Sequence, residues 1–310
     1  MPTLSPRARL LAATLVLVAL VAVLLVLLWP RNLANDGPLG VPGALPEAPN
    51  DAEVLLAVGD TGSCDGTADD AVADLASQLP GPIALLGDLA YPDGTADEFR
   101  DCFGGAWGEL RDRLRPAPGN HEYNTAAAAP YFDWFGSVAG EPGQGWYSYD
   151  LGAWHVVVLN SNCADVGCEA GGAQEAWLAA DLAASAATPD RCLLAYWHHP
   201  RSASGRHGSS AAVAGLWEPL VAAGVDVVLN GHDHSYERIA ADGAREFVVG
   251  TGGRSLYDFD DPPLPATESR HAGSHGLLWL ALSEGSYRWE YMPLGETTYT
   301  DAGQGDCDGT

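Results

Sequence analysis

The sequence predicts an α/β domain that follows an apolar N-terminal segment. From Glu53 onward, short apolar runs alternate with alanine-rich, helix-compatible stretches, which is the pattern of buried strands covered by helices. Several apolar runs end in polar residues of the kind that bind ligands, and open α/β sheets place their ligands at the carboxyl ends of strands. The chain has 310 residues, so nearly all of it after the first few dozen can form a single domain of about 250 residues.

Residues 10–29 predict a membrane segment. They form 20 consecutive, predominantly apolar positions without a charge, and at about 1.5 Å per residue they reach about 30 Å, the thickness of a bilayer core. The short basic segment 1–9 contains Arg7 and Arg9, whereas only Arg31 follows closely, which places the N-terminus in the cytoplasm. No convincing cleavage site ends the segment, so an uncleaved signal anchor is favoured over a cleaved signal. We therefore predict a single-pass protein of the cell membrane with an extracytoplasmic domain, and a secreted protein as the alternative.

The remaining elements follow in order. Residues 30–52 are rich in Pro and Gly without an apolar period, so they predict a tether. The domain, residues 53–300, then contains four pairs of a strand and a helix, followed by the run VDVVLNGH; the pairs are EVLLAVGD with ADDAVADLASQL, PIALLGD with EFRDCFGGAWGELRDRL, WHVVVLNS with AQEAWLAADLAAS, and CLLAYWHH with SAAVAGLWEPLVAAG. The closing runs REFVVGTGG, GLLWLALSEGS and YRWEYMPL have no helix between them and predict a meander that completes a second sheet. Residues 301–310 are expected to be a tail tied by a disulfide.

The charge of the chain limits its partners. The formal net charge is −26, and after Arg31 the chain has only 12 Arg against 41 acidic residues, with no lysine. Such a surface repels polyanions, which excludes nucleic acid as an expected partner. A phosphate-bearing substrate needs a local positive centre, and because almost no basic residue stands near the predicted site, a metal would provide that centre.

The cysteines predict disulfides. All six follow the apolar segment, and an even number in an extracytoplasmic domain indicates disulfides rather than a zinc cluster; they are Cys64, Cys102, Cys163, Cys168, Cys192 and Cys307. Their wide spacings leave most of the pairing open. Cys163 and Cys168 are expected to close a small loop because only four residues separate them.

Five short motifs supply the candidate metal ligands. They are GDTG, GDLAY, GNHE, WHHP and GHDH, and their donor residues are Asp60, Asp88, Tyr91, Asn120, His198, His232 and His234. Seven N and O donors without a cysteine exceed what one ion takes from a protein, but they suit two ions that share a carboxylate about 3.5–4 Å apart. His232 and His234 can face the same side of an extended chain and serve one metal each. The alternative for this histidine pair is a polar surface turn.

Together these motifs resemble those of the purple acid phosphatases, a branch of the calcineurin-like metallophosphoesterase superfamily. The family patterns are DxG, GDxxY, GNH followed by an acid, a His after an apolar strand, and GHxH; they appear here in order at Asp60/Gly62, 87–91, 119–122, His198 and 231–234. The resemblance covers about residues 53–300. It implies a four-layer α/β/β/α sandwich with the metals between two sheets.

The resemblance also implies an allocation of the ligands. The first metal would take Asp60, Tyr91 and His234, the second would take Asn120, His198 and His232, and Asp88 would bridge them. Gly62 stands where the wider superfamily usually has a metal-binding His, and Tyr91 is the replacement used by the purple branch. A phenol has a pKa of about 10, so its binding as phenolate calls for a strongly Lewis-acidic ion, and Fe(III) is expected at the first site. Fe(II), Zn(II) or Mn(II) is expected at the second.

Two further histidines are candidate catalytic residues. By resemblance, His121 and His207 would hydrogen-bond to phosphate oxygens and give a proton to the leaving alcohol; a purely structural role is the alternative for each. His199 is expected to pack beside the site, and His155 to be a satisfied core residue. The sequence thus predicts a phosphatase that hydrolyses small phosphate monoesters through a metal-bound hydroxide, with an acidic pH optimum. A phosphodiesterase on the same scaffold and a catalytically silent surface binding protein are the alternatives.

Overall fold

The computed structural model describes residues 45–64, 66–188, 190–295 and 297–307. These residues form thirteen strands: β1 (Glu53–Val58), β2 (Ile83–Leu86), β3 (Leu114–Ala117), β4 (Tyr147–Leu151), β5 (Trp154–Val158), β6 (Cys192–Tyr196), β7 (Val227–Asn230), β8 (Tyr236–Ala241), β9 (Ala244–Val249), β10 (Thr267–His271), β11 (Gly276–Ser283), β12 (Ser286–Pro293) and β13 (Asp301–Asp306). One sheet has six strands in the order β13-β12-β11-β1-β2-β3, and the other has seven in the order β10-β8-β9-β7-β6-β5-β4.

Seven α-helical segments connect the strands: α1 (Ala68–Ser77), α2 (Ala96–Glu98), α3 (Gly104–Trp107), α4 (Ala129–Phe135), α5 (Cys163–Val166), α6 (Ala173–Ser185) and α7 (Ala214–Ala222). A π turn (Phe99–Phe103) and four 3₁₀ turns (Gly108–Arg113, Glu122–Asn124, Ala126–Ala128 and Gly136–Ala139) complete the helical structure. The sequence determines where α2 begins: the Thr95 hydroxyl accepts a hydrogen bond from the backbone N–H of Glu98, and the Glu98 carboxylate accepts one from the backbone N–H of Thr95.

The two sheets and their helices form four layers. Along β1, Val54, Leu56 and Val58 belong to a core cluster with α1, whereas Leu55 and Ala57 belong to the cluster between the sheets. A third cluster packs α6 and α7 on the outer face of the seven-stranded sheet. This alternation arises because successive side chains of a strand point to opposite faces of the sheet. The predicted α/β/β/α arrangement is confirmed for the described residues.

The closing strands differ from the prediction. β9 belongs to the seven-stranded sheet, but β11 and β12 join the other one, where β11 pairs antiparallel with β1. The meander therefore extends the first sheet instead of completing the second. The partner strand β1 lies more than 200 residues earlier in the chain, so the local pattern could not identify the sheet. β11 is apolar on both faces: Leu278 and Leu280 face the core between the sheets, and Leu277 and Trp279 face the helices. A strand of this kind fits the middle of a covered sheet.

The ends of the predicted domain also differ in detail. Residues 301–306 are not a tail, because they form β13, which pairs antiparallel with β12. Three residues at the end of the predicted tether pack against the core cluster between α1 and the six-stranded sheet; they are Leu45, Ala48 and Ala52. The predicted membrane segment, residues 10–29, lies outside the described residues. None of the helices in the described part of the chain has the length and apolar character that a membrane span needs.

All six cysteines form disulfides, as predicted. The pairs are Cys64–Cys102, Cys163–Cys168 and Cys192–Cys307. The second pair closes the small loop expected from its spacing. The third joins β6 of the seven-stranded sheet to the residue after β13 of the other sheet, so the C-terminal strand is tied to the domain as expected for that end of the chain.

Candidate metal centre

The predicted ligands meet at one edge of the two sheets. Strands β1, β2 and β3 run parallel, and so do β5, β6 and β7. Each predicted ligand except Tyr91 and His234 follows the end of one of these strands by two or three residues; the five are Asp60, Asp88, Asn120, His198 and His232. Because parallel strands bring their carboxyl ends to the same edge, short local motifs become one cluster.

One group of side chains surrounds the Tyr91 hydroxyl. Its oxygen lies 3.0 Å from Oδ1 of Asp60, 3.2 Å from Nε2 of His234 and 3.2 Å from Oδ2 of Asp88. Nε2 of His234 lies 3.4 Å from Oδ1 of Asp60. These are the three residues predicted for the first metal together with the predicted bridge.

A second group surrounds Nε2 of His198. This atom lies 3.1 Å from Oδ2 of Asp88, 3.2 Å from Oδ1 of Asn120 and 3.2 Å from Nδ1 of His232. Oδ2 of Asp88 is therefore within 3.2 Å of a donor atom in each group. The same carboxylate oxygen lies next to both groups, so Asp88 is placed to bridge them.

The chemistry of the converging atoms fits two cations. The Tyr91 hydroxyl has one proton, yet it faces three acceptor-type atoms. Nδ1 of His198 lies 2.8 Å from the carbonyl of Leu86, and Nδ1 of His234 lies 2.7 Å from that of Ser255. With each Nδ1–H donated to a carbonyl, the Nε2 atom of each ring points into the centre, the orientation found in metal-binding histidines.

Asp88 and His198 shift each other's pKa values because they form a buried pair of opposite charge. Burial lowers the pKa of His198, but the Asp88 carboxylate outweighs burial and raises it to about 9. Burial raises the pKa of Asp88, but the His198 charge and hydrogen bond outweigh it and hold that pKa well below its usual range. Without a cation the pair retains a proton between the two groups. A metal ion that binds here would displace this proton.

Tyr91 needs a cation in order to ionise. Its burial, together with the negative charges of Asp60 and Asp88, raises the pKa of the phenol well above the usual value. A phenolate at neutral or acid pH therefore requires a strong positive charge among these groups. This agrees with the prediction of a strongly Lewis-acidic ion at the first site.

The backbone at three candidate ligands lies in the left-handed region. The φ angles are 59° at Asp60, 53° at Asp88 and 74° at His232, values that non-glycine residues adopt rarely and at a cost of about 1–3 kcal/mol each. Position 119, just before the candidate ligand Asn120, has room only for a glycine, because a Cβ there would lie 2.1 Å from Oδ1 of Asp88. The backbone is thus held in unusual conformations where the candidate ligands converge.

Both candidate catalytic histidines lie beside the centre. The His121 ring centroid is 4.4 Å from that of Tyr91, and its backbone N–H donates to Oδ1 of Asp88 over 2.8 Å. The exposed His207 ring is 4.5 Å from that of His232. The structure therefore places these two residues at the accessible side of the cluster; their catalytic roles remain proposals.

His199 packs beside the site, as predicted. Its Nδ1 lies 2.8 Å from the Ser161 hydroxyl, and its ring centroid is 4.4 Å from that of His232. Burial, and then the charge of His198, lower the pKa of His199 to about 3. The ring is therefore neutral, and Ser161 holds it in place.

Several residues of the site were missed by sequence reasoning. The fully buried Glu122, noted only as the acid after GNH, accepts hydrogen bonds from the backbone N–H groups of Asp88, Leu89 and Gly119 at 2.7–3.0 Å. Burial and the charge of Asp88 raise the pKa of Glu122 to about 7. In the sequence, the only sign of this role is the acidic residue that follows GNH. The backbone N–H groups that Glu122 binds become neighbours only in the fold.

Asp233 was missed as well, although it lies between two predicted ligands. Its Oδ1 accepts a hydrogen bond from the backbone N–H of His207 over 2.7 Å, and it is 1% exposed. Burial raises its pKa. Asp233 thus connects the GHDH motif to the loop that carries His207.

The expectation that almost no basic residue stands near the site was wrong. The Cζ atom of Arg254 lies 5.0 Å from the centroid of the Tyr91 ring, and Tyr257 stacks on His234 with centroids 4.2 Å apart. Cζ of Arg206 lies 5.0 Å from the Tyr257 ring. Arg254 and Tyr257 lie in the loop after β9 and Arg206 lies in the loop after β6, so the folding of two separate loops brings these residues to the centre.

His155 is a core residue, as predicted. Its Nδ1 lies 2.9 Å from Asp150 and its Nε2 lies 2.8 Å from Asp181. Burial lowers the pKa of His155, but the two carboxylates outweigh burial and raise it above the usual value. Because the folded-state pKa exceeds that of the unfolded chain, this stabilisation is complete below about pH 6.5 and is lost as the pH rises through the folded pKa.

We therefore expect a pH-dependent effect of His155→Gln. The variant should lower the free energy of unfolding by about 1–2 kcal/mol at about pH 5.5, and the difference from wild type should shrink toward about pH 8.5. Chemical denaturation at both pH values measures it. His271, whose pKa burial lowers, should give the opposite trend in His271→Gln. An equal loss at both pH values in His155→Gln would contradict an ion pair there.

Comparisons with known proteins identify the family of this chain. A family model described as calcineurin-like phosphoesterase matches residues 54–236, so the chain belongs to this family. Within it, the chain is similar to purple acid phosphatases: purple acid phosphatase 22 of Arabidopsis thaliana is 32% identical over 254 residues, which cover 71% of this chain and 56% of that protein. The chain thus spans little more than half the length of this relative.

Solved structures show the same fold. Purple acid phosphatase PPD1 from yellow lupin (Lupinus luteus) seeds matches with a TM-score of 0.63 and 17% identity, over 83% of this chain and 54% of that one. GAP50, the anchor in the inner membrane complex of Plasmodium, matches with a TM-score of 0.65 and 16% identity, over 81% of this chain and 88% of that one. At these identities the likeness supports the fold alone. The resemblance predicted from the motifs is confirmed at the level of the family.

Proposed function

We propose that this protein is a metal-dependent phosphatase that hydrolyses phosphate monoesters at a dinuclear metal centre. The observation that carries the proposal is Oδ2 of Asp88, which lies within 3.2 Å of a donor atom in each of the two ligand groups. A carboxylate oxygen placed in this way can bridge two neighbouring cations. Membership of the calcineurin-like phosphoesterase family supports a hydrolase of phosphoester bonds.

The two ligand groups would hold different ions. Asp60, Tyr91 and His234 offer a carboxylate, a phenol and an imidazole, which suit Fe(III). The other group, Asn120, His198 and His232, offers softer neutral donors, which suit Fe(II), Zn(II) or Mn(II). When bound, the ions would supply Lewis acidity toward the phosphoryl oxygens and lower the pKa of a water molecule.

His121 and His207 would act on the substrate. His121 is held by the hydrogen bond from its backbone N–H to Asp88, and His207 is held by the bond from its backbone N–H to Asp233. Both imidazoles thus lie beside the candidate ligands while their backbones are fixed. In this position they can donate hydrogen bonds to phosphoryl oxygens and give a proton to the leaving alcohol.

The surroundings of the site favour a small substrate outside the cytoplasm. With 41 acidic residues in the chain, the surface repels extended polyanions, so a compact phosphate ester fits better than nucleic acid. The disulfides indicate an oxidising compartment. Together with the apolar segment 10–29, they support a domain that is anchored to the membrane or secreted.

Paired substrates and metal removal test the proposed function. Purified protein should hydrolyse p-nitrophenyl phosphate faster than bis(p-nitrophenyl) phosphate, and faster at about pH 5 than at about pH 8. A chelator should abolish the activity, and iron together with a divalent ion should restore it. Faster turnover of the diester would favour the phosphodiesterase, and two bound metals without turnover of either ester would favour a silent binding protein.

A further inference from the structure

Two arginines of this strongly acidic chain lie at the rim of the candidate centre. Arg254 extends over the ring of Tyr91, with its Cζ atom 5.0 Å from the ring centroid. Arg206 extends over Tyr257, which itself stacks on His234. After Arg31 the chain has only 12 Arg against 41 acidic residues, so two guanidinium groups near one cluster form a local exception to the negative field.

The segment that carries Arg254 is fixed to the candidate ligands. The backbone N–H of Arg254 donates to the carbonyl of Asp60 over 2.9 Å, and that of Tyr257 donates to the carbonyl of His234 over 3.0 Å. In return, Nδ1 of His234 lies 2.7 Å from the carbonyl of Ser255. The position of Arg254 relative to the centre is therefore set by three hydrogen bonds to ligands of the same predicted metal.

The side chain of Arg254 is also directed by its neighbours. Besides its position over Tyr91, its Nη1 lies 3.5 Å from the hydroxyl of Ser63, which follows the DTG motif. Arg254 is only partly exposed, whereas Arg206 is 57% exposed and lies 4.0 Å from Asp260. A charge that is partly shielded from water acts more strongly on a bound anion than an exposed one does, so Arg254 has the larger expected effect.

We propose that Arg254 is a specificity-determining residue that binds the phosphoryl group of the substrate and favours dianionic monoesters over monoanionic diesters. This inference rests on the proposed function and names the substrate class of that site. A guanidinium presents parallel N–H donors that match two oxygens of one phosphoryl group. A monoester has three unesterified oxygens and a second negative charge, whereas a diester has two such oxygens and one charge. Bound cations would contact part of this set, and a monoester would still offer Arg254 one more anionic oxygen than a diester does.

The test compares Arg254→Gln and Arg254→Lys with Arg288→Gln. Arg288 is exposed on β12 and pairs in register with Ala281, near the end of the sheet opposite the candidate ligands, so its variant removes the same charge far from the site. For each protein we would measure kcat/KM with p-nitrophenyl phosphate and with bis(p-nitrophenyl) phosphate. The dissociation constant of inorganic phosphate, from calorimetry, and the metal content per chain provide readouts that do not depend on turnover.

Arg254→Gln should lower kcat/KM for the monoester by about 10- to 100-fold and weaken phosphate binding by about tenfold, the range expected for the loss of charge-assisted hydrogen bonds. The diester should lose less than about threefold, and the metal content should not change. Arg254→Lys should retain part of the monoester activity, because a point charge replaces the planar fork. Arg288→Gln should match the wild type.

Three outcomes would overturn the inference. If Arg254→Gln matches Arg288→Gln on both esters, Arg254 does not bind the substrate, although the proposed function stands. If both esters lose activity equally and metal is lost, Arg254 supports the centre rather than the specificity. If the wild type binds two metals and hydrolyses neither ester, the proposed function itself fails, and the inference fails with it.

Discussion

Asp88→Asn should reduce the hydrolysis of phosphate monoesters by about 10³-fold or more, the scale of losing electrostatic stabilisation at a reacting centre. The side chain keeps its size, and an amide oxygen can still accept the hydrogen bond that the His121 backbone N–H donates to Oδ1. What the change removes is the negative charge and the second oxygen, so the amide cannot bridge two cations. The metal content should fall from about two ions per chain to one or fewer. Steady-state kinetics and metal analysis of the same preparation measure both effects.

Asp97→Asn is the control for Asp88→Asn, because it removes the same charge from a residue that cannot bridge the metals. The side chain of Asp97 is 80% exposed in a surface pair with Arg100, so Asp97→Asn should leave both activity and metal content unchanged. Asp88→Asn with two metals and near wild-type activity would contradict the bridging role. In that case the two ligand groups would have to act as separate sites.

Glu122→Ala should have the largest effect on stability of the substitutions considered. The side chain is fully buried, and its two oxygens accept hydrogen bonds from the backbone N–H groups of Asp88, Leu89 and Gly119. Removal leaves these donors, and the backbone N–H of Ala90 at 3.4 Å, without an acceptor, at about 1–3 kcal/mol each. We expect the free energy of unfolding to fall by about 3–6 kcal/mol. Since two of these donors belong to Asp88 and to the residue before Asn120, metal affinity should also fall by about 10- to 100-fold.

Glu246→Ala provides the control for this effect. Glu246 is also fully buried and accepts hydrogen bonds from two backbone N–H groups, those of Arg201 and Ser202, but none from a candidate ligand. It should lower the free energy of unfolding by about 2–4 kcal/mol while metal affinity stays close to wild type. Thermal or chemical denaturation and metal titration distinguish the two. Equal losses of metal affinity would show that Glu122 acts through stability alone.

The candidate ligands could be predicted from sequence because each is a local signal. Asp60, Asp88 and His198 all stand just after a run of buried strand residues, and a strand end is recognisable without knowledge of its partners. Their meeting then follows from the parallel arrangement of the strands, which the alternation of strands and helices indicates. The division into two groups came from resemblance, and the distances around Tyr91 and His198 agree with it.

Other features could not be predicted because they depend on distant parts of the chain. β11 pairs with β1 across more than 200 residues, and no local pattern distinguishes that partner from a strand of the other sheet. Arg254 stands in a glycine-rich loop without periodicity, and it reaches Tyr91 only because its backbone bonds to Asp60. Glu122 lies in a recognised motif, but the four backbone N–H groups that it satisfies come from two separate loops.

The two-metal centre with Tyr91 on one ion is tested most directly by visible absorption and metal analysis of the purified protein and of Tyr91→Phe. Asp60, Asp88 and His234 remain in the variant, so only the phenol oxygen is removed from the group. We predict about two metals per wild-type chain and a broad visible charge-transfer band, which a phenolate bound to Fe(III) produces and which the variant should lack. A colourless wild-type protein, or a band that persists in Tyr91→Phe, would contradict a phenolate ligand, and a protein that takes up no metal would contradict the centre itself.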